Sequence, residues 1–425
     1  MSSEPNMKEV PFQEQFLAFA GFDWASDHHD VVVLDRAGQV LLELTFADDA
    51  PGWADFAQRL SGTLGLQPPG LAVAVETNNG PAVERLLAIG CAVYPMNPKA
   101  AQRYRDRKNN AGCKDDHLDA LSFADALRTD GHGWRALKPD DPITQELRLL
   151  CRDEVQLIGQ RTALVNQLRA ALREYYPAAL EAFDDWLCEG AWAFVQAFPT
   201  PQALVQAGKR RWEKFLHTHK LYRPQTYARR LEIFARADQF CGPSAITRAK
   251  SRLALALVGH LRLLETQLIQ YRRSIETLFA EHPDHDVFGS LPGAGPKIAP
   301  RLLGELGNDP ARFSTPESLQ CYGGSAPVTL RSGKRCLAFF RRACNRRLRH
   351  TLHLWADLSR HQCTWAQAYY QHKRDQGKTH ACALRCLAQR WLKILWTMWQ
   401  TRSPYNEALH TRNQVKHGSW VVQLA

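Results

Sequence analysis

Apolar positions follow two different rhythms along this chain. From residue 16 to about residue 130 they come in short runs separated by turn residues. FLAFAGFDW (16–24) and DVVVLD (30–35) are apolar and rich in β-branched or aromatic residues. QVLLELTF (39–46) follows after the turn RAG, so the three segments read as sequential strands of a meander. PGWADFAQRL (51–60) places a proline just inside a helix. GLAVAVET (70–77) is a strand of the fully buried type. PAVERLLAIG (81–90) is a short helix closed by Gly90, and CAVYPMNP (91–98) is a strand ended by Pro95 and Pro98. DDHLDALSFADALR (115–128) is amphipathic at helical spacing.

The order strand–strand–strand–helix–strand–helix–strand–helix predicts an RNase H-like fold, a mixed sheet with helices on its faces. Past residue 140 the rhythm changes to long helical periods. Leu147, Leu150, Leu157, Leu164 and Leu168 mark one, and Leu253, Leu257, Leu261, Leu264, Leu268, Ile275 and Leu278 mark another. The expectation is two long helices in an antiparallel or intermolecular coiled coil. The Trp-rich segment 181–245 reads as a helical insertion at the tip of the coil, with a basic patch at Lys209, Arg210 and Arg211. HPDHD (282–286) breaks the second long helix at Pro283 and reads as a solvated linker. Residues 286–425 then form a mostly helical domain. Three regions are thus expected: 1–140, 141–285 and 286–425.

Composition narrows the partner. The formal net charge of +11 favours a polyanion, most often nucleic acid. No signal-peptide run and no membrane-length apolar stretch occurs, which points to a cytoplasmic protein with no membrane partner. The eleven cysteines are scattered without a C-x-x-C pair, as expected of buried thiols rather than disulfides. His380, Cys382 and Cys386 lie close in sequence but lack a second ligand pair, so they read as helix residues.

Four carboxylates carry the candidate chemistry. Asp23 ends the first strand and Glu76 the fourth, strands that lie side by side in the proposed fold. Asp116 and Asp119 share one face of the following helix. Such a group would need cations, and two hard divalent ions, Mg²⁺ or Mn²⁺, suit it. Two metals can clamp the attacking and leaving oxygens of a phosphodiester. Taken singly, Asp23 reads equally as a turn residue, Glu76 as a surface acid and Asp116 as a helix cap, and Asp115 competes with Asp116.

FAGFDWASDHHDVVVLD, VAVETNNG, MNPKAAQ and CKDDHLDALSFA, followed by SLPGAGPKIAPRLLGELG, RFSTPESLQCYGGSAPV, RSGK and NRRLRHTL, stand in one order along the chain. That order resembles the RuvC-like DEDD transposases of the insertion sequence 110 type, over nearly the whole chain except 181–245. The resemblance implies that Asp23, Glu76, Asp116 and Asp119 form the acidic quartet and that Ser332 is a catalytic serine. It also implies donor and target DNA as substrates, a structured bridge RNA as guide, and a dimer that becomes a tetramer on DNA near the nucleoid. Cys344 departs from the family, which usually has glycine there.

A serine hydroxyl needs activation to act as a nucleophile. Ser332 has no histidine beside it, but Arg331, Lys334 and Arg335 could hold the scissile phosphate. The base would come from metal at the carboxylates, which requires the two domains to meet within one chain or across a dimer. Residue by residue, Ser332 also fits an ordinary Ser-Gly turn. Further nucleic-acid contacts are expected at Lys114, at Gly293, Gly295 and Lys297 in a helix-hairpin-helix turn, and at Arg341, Arg342, Arg346, Arg347 and Arg349. Residues 331–350 contain no acid, and Phe339 and Phe340 offer stacking surfaces. A metal-dependent nuclease using water and a non-catalytic nucleic-acid-binding protein are the rival readings.

Overall fold

A short helix, α1 (Phe12–Gln15), leads into β1 (Ala18–Trp24), the middle strand of a five-stranded sheet. β2 (His28–Leu34) pairs antiparallel with β1, and β3 (Val40–Ala47) antiparallel with β2. After α2 (Ala50–Gln58), β4 (Leu71–Val75) returns parallel to β1, with Ala18 opposite Leu71 and Phe22 opposite Val75. α3 (Pro81–Ala88) and β5 (Ala92–Pro95) complete the order β3-β2-β1-β4-β5, the mixed sheet of an RNase H-like fold. This computed structural model describes residues 11–77, 80–108, 116–333 and 335–418. The chain divides into two compact units between Pro139 and Asp140.

Alternation along the strands sorts side chains onto two faces. Ala18, Ala20 and Phe22 join Val31, Val33, Val73 and Val75 in a core that takes Phe56 of α2 and Leu86 of α3. Phe19, Ala72 and Ala74 face the other way, toward Ala101, Phe123 and Leu127. Those last three lie on α4 (Pro98–Lys108) and α5 (Asp116–Asp130). The apolar pattern predicts no helix at 98–108. The segment KAAQRYRDRK has too little apolar periodicity to announce one. Its start is set locally, by Pro98 in the first turn and by Asn97, whose Oδ1 accepts from the Lys99 amide at 2.9 Å.

In the second unit, α6 (Pro142–Tyr175) is capped by Asp141, whose side chain accepts from the Thr144 amide at 2.7 Å. At its far end, α7 (Pro177–Ala182), α8 (Glu189–Ala197), α9 (Pro201–Thr218) and α10 (Pro224–Ala235) form a small helical cap. The return helix α11 (Ser244–Glu281) runs antiparallel to α6. Thr144 Oγ1 meets His282 Nε2 at 2.8 Å at one end, and Glu174 meets Lys250 at 2.7 Å at the other. The coiled coil is therefore made within one chain. Leu168, Leu172, Leu257 and Leu261 share a core with Phe183, Trp186, Trp192, Phe194 and Phe234 of the cap. Between the two ends ion pairs accompany the buried Leu268, with Arg161 on Glu265 at 2.7 Å and Arg272 on Glu154 at 3.2 Å.

HPDHD is not a solvated linker. His282 is 3% and Asp284 1% exposed. His282 Nδ1 accepts from the Asp284 amide at 3.0 Å, so Nε2 carries the proton that Thr144 accepts. Burial holds the His282 ring below its ordinary pKa, which fits a neutral imidazole. Trp399 donates to Asp284, and Arg402 pairs with it. The chain break at Pro283 is thus a buried polar joint that seats the helices around it.

α12 (His285–Gly289) and α13 (Gly295–Leu306) flank the expected hairpin turn. α14 (Pro316–Tyr322) carries a capping box between Thr315 and Ser318. A β-hairpin follows, β6 (Val328–Ser332) paired with β7 (Arg335–Phe339). α15 (Arg346–Ser359), α16 (Thr364–Asp375), α17 (His380–Gln400) and α18 (Glu407–Lys416) complete the unit. Trp355, Trp391 and Trp399 are fully buried in its core. No helix among the described residues is long and apolar enough to cross a membrane.

Candidate active site and nucleic-acid surface

Period-two alternation puts Asp23 on the same face of β1 as Phe19 and Gly21, the face covered by α5. That helix sits unusually close to the strand. A Cβ on Gly21 would lie 1.8 Å from the Ala120 carbonyl oxygen and 2.6 Å from the Ala124 amide nitrogen. Glycine on the strand and alanines on the helix let the two backbones touch. As a result Asp23 of β1 and Asp116 and Asp119 of α5 converge, each offering a carboxylate oxygen within 4.8 Å of the others.

Three acids so close disfavour one another's charge. The Asp23 carboxyl is pushed up to about 6, first by burial and then by Asp119, Asp116, Glu76 and Asp30. The donor set is all oxygen, compact and electrostatically frustrated, which fits a hard divalent cation. Glu76, just past the end of β4, lies at the edge of this group. It is not among the three converging acids, and it pairs with Arg105 at 4.0 Å.

Two features of the site escaped the sequence reading. Arg105, on the unanticipated α4, donates to Asp119 Oδ2 at 2.6 Å and so supplies positive charge at the carboxylates. The only advance signal was the NP cap at 97–98. Second, Asp30 stands opposite Asp23 across the β1–β2 pair. His28, Asp30 and Asp116 form another group whose ligand atoms lie within 4.8 Å of one another. Asp116 belongs to both groups. The parity of DHHD against Asp23 in a hairpin contained that information. Lys114 and Asp115 lie outside the described residues.

Ser332 is the last residue of β6, opposite Arg335, beside a turn in which Gly333 has φ 53°. Ser332, Arg331 and Arg335 are all exposed. Lys334 lies outside the described residues. One face of the hairpin pairs Val328 with Phe339, Leu330 with Leu337 and Ser332 with Arg335. Leu330 and Leu337 are more than half exposed. A two-stranded hairpin of this kind gains little stability on its own.

The basic segment is more structured than its composition announces. Arg341 donates to the Ala326 carbonyl at 3.1 Å, and Arg349 to the Arg341 carbonyl at 3.3 Å. The guanidiniums of Arg349 and Arg385 each lie 5.0 Å from the ring centre of Phe340, which is itself 48% exposed. Phe339 stays 48% exposed. Cys344 packs against Gly324, where a Cβ would meet its sulfur at 2.6 Å. Arg342, Arg346 and Arg347 are exposed. In the helix-hairpin-helix turn, the Gly293 amide donates to Gln362 Oε1 at 2.7 Å and is buried against Ser359. Gly295 and Lys297 remain exposed on that turn.

Residues 20–177 match a family model described as a transposase, of the DEDD, IS110 type, and residues 285–371 match one described as a transposase of the IS116/IS110/IS902 family. The mini-circle putative transposase for IS117 of Streptomyces coelicolor is 33% identical over 407 residues, 93% of this chain and 97% of that protein. The putative transposase y4uE of Sinorhizobium fredii is 36% identical over 211 residues, 49% of this chain and 59% of that protein. An uncharacterized protein of the insertion element IS110, also from Streptomyces coelicolor, is 28% identical over 399 residues, 92% of this chain and 96% of its own length. With a mixed sheet of RNase H-like order in the N-terminal unit and these matches over most of its length, the chain belongs to the IS110 family of transposases.

Proposed function

We propose that this transposase cleaves and rejoins DNA strands through Ser332, with divalent cations held at Asp23, Asp116 and Asp119 and with Glu76 completing the quartet. The observation that supports the cation-holding half of the reading is the convergence of three carboxylates on a sheet of RNase H type. When bound there, Mg²⁺ or Mn²⁺ neutralises the cluster and lowers the proton affinity of an oxygen it touches. Ser332 Oγ attacks the scissile phosphorus, forming a serine–phosphate ester. The bond to one deoxyribose oxygen breaks, and the serine proton passes to a base at the acidic site. The freed deoxyribose oxygen takes up a proton. Attack by a second DNA hydroxyl reverses these steps and restores the serine. The ester conserves the phosphodiester bond, so rejoining needs no external energy source. Arg331 and Arg335 flank the serine and bind the charged phosphate oxygens. Target choice rests on base pairing with a structured bridge RNA, and the acting species is a dimer that becomes a tetramer on DNA.

The test is a denaturing gel of labelled donor and target DNA incubated with protein, element-end RNA and Mg²⁺. Wild type should give a protein-linked DNA band that Ser332→Ala and Asp116→Ala both lose. Strand cleavage that survives Ser332→Ala would rule out the serine nucleophile and leave a metal–water nuclease.

Arg105 offers a separate check on the acidic site, because its guanidinium competes with a divalent cation for Asp119. Arg105→Ala is expected to tighten Mn²⁺ binding roughly fivefold in titration calorimetry, the effect of removing one nearby positive charge in a partly solvated site. Unchanged or weaker binding would show that Arg105 does not oppose the cation.

A further inference from the structure

The group formed by His28, Asp30 and Asp116 differs from the carboxylates around Asp23 in carrying a nitrogen. Neither His28 nor Asp30 belongs to the acidic quartet. Both stand on β2 two residues apart, so they share a face of the sheet, and Asp30 lies opposite Asp23 in the β1–β2 register. α5 packs on that same face, with Ala120 and Ala124 against Val32 and Leu34, and its first residue is Asp116. One strand and one helix thus bring an imidazole and two carboxylates together, with one ligand atom of each within 4.8 Å of the others.

Residues outside the group orient it. Asp27 Oδ1 lies 2.9 Å from His28 Nδ1. A carboxylate can only accept, so Nδ1 carries a proton and, in the neutral ring, Nε2 keeps its lone pair. That nitrogen faces Asp30 Oδ2 at 3.6 Å, too far for a hydrogen bond. Thr45 of β3 donates to Asp30 Oδ1, which holds one oxygen of that carboxylate and leaves the other for the group. A carboxylate on the second ring nitrogen and a hydrogen bond to the ligating carboxylate are the outer contacts that orient metal ligands. Charge points the same way. Among the described residues Arg105 pairs with Asp119 and Glu76, and with neither Asp30 nor Asp116. A protonated His28 would offset one of the charges on Asp27, Asp30 and Asp116, whereas a divalent cation on the neutral ring offsets two. Imidazole suits first-row transition ions, and an all-oxygen group suits Mg²⁺.

We propose that His28, Asp30 and Asp116 hold a second divalent cation, with Asp116 shared between the two ions, and that the nitrogen ligand makes this site prefer Mn²⁺ to Mg²⁺. The proposal rests on the cation-holding reading above, and the experiment separates the two. The full chain, stripped with EDTA, would be titrated with Mn²⁺ by calorimetry. Bound Mn²⁺ would then be observed by electron spin echo modulation, which detects a nitrogen bonded to the ion. Each variant would first be shown to fold by circular dichroism. Wild type should bind two Mn²⁺ and show nitrogen modulation. His28→Gln and Asp30→Asn should each bind one and lose the modulation, while His117→Gln, which removes the imidazole next to Asp116 in sequence, should keep both. Asp27→Asn leaves all three ligands in place and should weaken only the second ion, about tenfold or more. Mg²⁺ should displace Mn²⁺ from the all-oxygen site before the second one. Because the wild-type spectrum alone reports nitrogen ligation, a variant that fails to fold leaves the test intact. One Mn²⁺ in wild type, lost in Asp119→Asn and unchanged in His28→Gln, would overturn the second site and leave the cation-holding reading standing. Two Mn²⁺ without nitrogen modulation would also overturn it, and displacement of both ions together by Mg²⁺ would overturn the preference. No Mn²⁺ binding at all would overturn both readings.

Discussion

Asp23→Asn should make this protein more stable and nearly inactive. Strand cleavage is expected to fall about 10³-fold or more, because one metal-holding carboxylate is gone while the fold stays intact. Stability should move the other way. The Asp23 carboxyl sits at about 6 rather than 3.8, through burial and then through Asp119, Asp116, Glu76 and Asp30. A carboxyl whose folded-state pKa is raised favours folding only in its protonated form. Its cost therefore grows as pH rises from about 4 to about 6 and is fully present above that range. Asparagine removes the cost. After allowance for the part of the carboxyl that water reaches, the gain is about 1–2 kcal/mol at neutral pH. That corresponds to a rise of roughly 3–8 °C in the melting temperature of the unit. The advantage should disappear at pH values below about 4. The measurement is thermal unfolding in EDTA across this pH range, repeated with Mg²⁺. Added Mg²⁺ should stabilise wild type and leave Asp23→Asn unchanged. A melting temperature lowered by the substitution at neutral pH would show that the carboxylate cluster is not a source of frustration.

Gly21→Ala should unfold the N-terminal unit or bring it close to unfolding. The added methyl would sit 1.8 Å from the Ala120 carbonyl oxygen and 2.6 Å from the Ala124 amide. Both are backbone atoms of α5, so no side-chain rotation relieves the overlap. The helix must lift from the sheet along its length and open the core around Ala120, Ala124, Val32 and Leu34. Overpacking usually costs about 1–3 kcal/mol, and a clash between two backbones belongs at or above the upper end. Urea unfolding should therefore show a loss of about 3 kcal/mol or more. Gly62→Ala, where nothing lies within 4 Å of the added carbon, should stay within about 0.5 kcal/mol of wild type. The functional consequence follows from the same movement. α5 carries Asp116 and Asp119, so whatever protein remains folded should also bind Mn²⁺ more weakly. Wild-type stability in Gly21→Ala would mean that α5 is not seated on β1 as described.

The two variants share a cause. The acidic site is formed by pressing a helix against a strand at a glycine, and the electrostatic strain at Asp23 is a direct product of that closeness. The fold contributes the position, and the carboxylates contribute charge that the fold alone does not compensate. Arg105 answers part of that charge with a contact of 2.6 Å to Asp119.

Much of this was decided by local sequence. Strand runs separated by turn residues specify the three-strand meander, because a period of two and a tight turn are properties of a few adjacent residues. Long helical periods specify α6 and α11. The alternation of β1 already places Asp23 on the face of Phe19 and Gly21, and the i, i+3 spacing pairs Asp116 with Asp119. Other features needed the tertiary structure. A polar segment such as KAAQRYRDRK becomes a helix through its cap and its packing, and only that packing brings Arg105 to Asp119. HPDHD resembles a linker by composition, yet His282 and Asp284 are buried because Thr144, Trp399 and Arg402 lie far away in sequence and near in space. His28 and Asp30 meet Asp116 only because α5 packs on the face of β2 that carries Val32 and Leu34. Periodicity reports how each residue relates to its own element. Which elements meet, and which charges are then left without a partner, is settled by long-range packing, which no local pattern encodes.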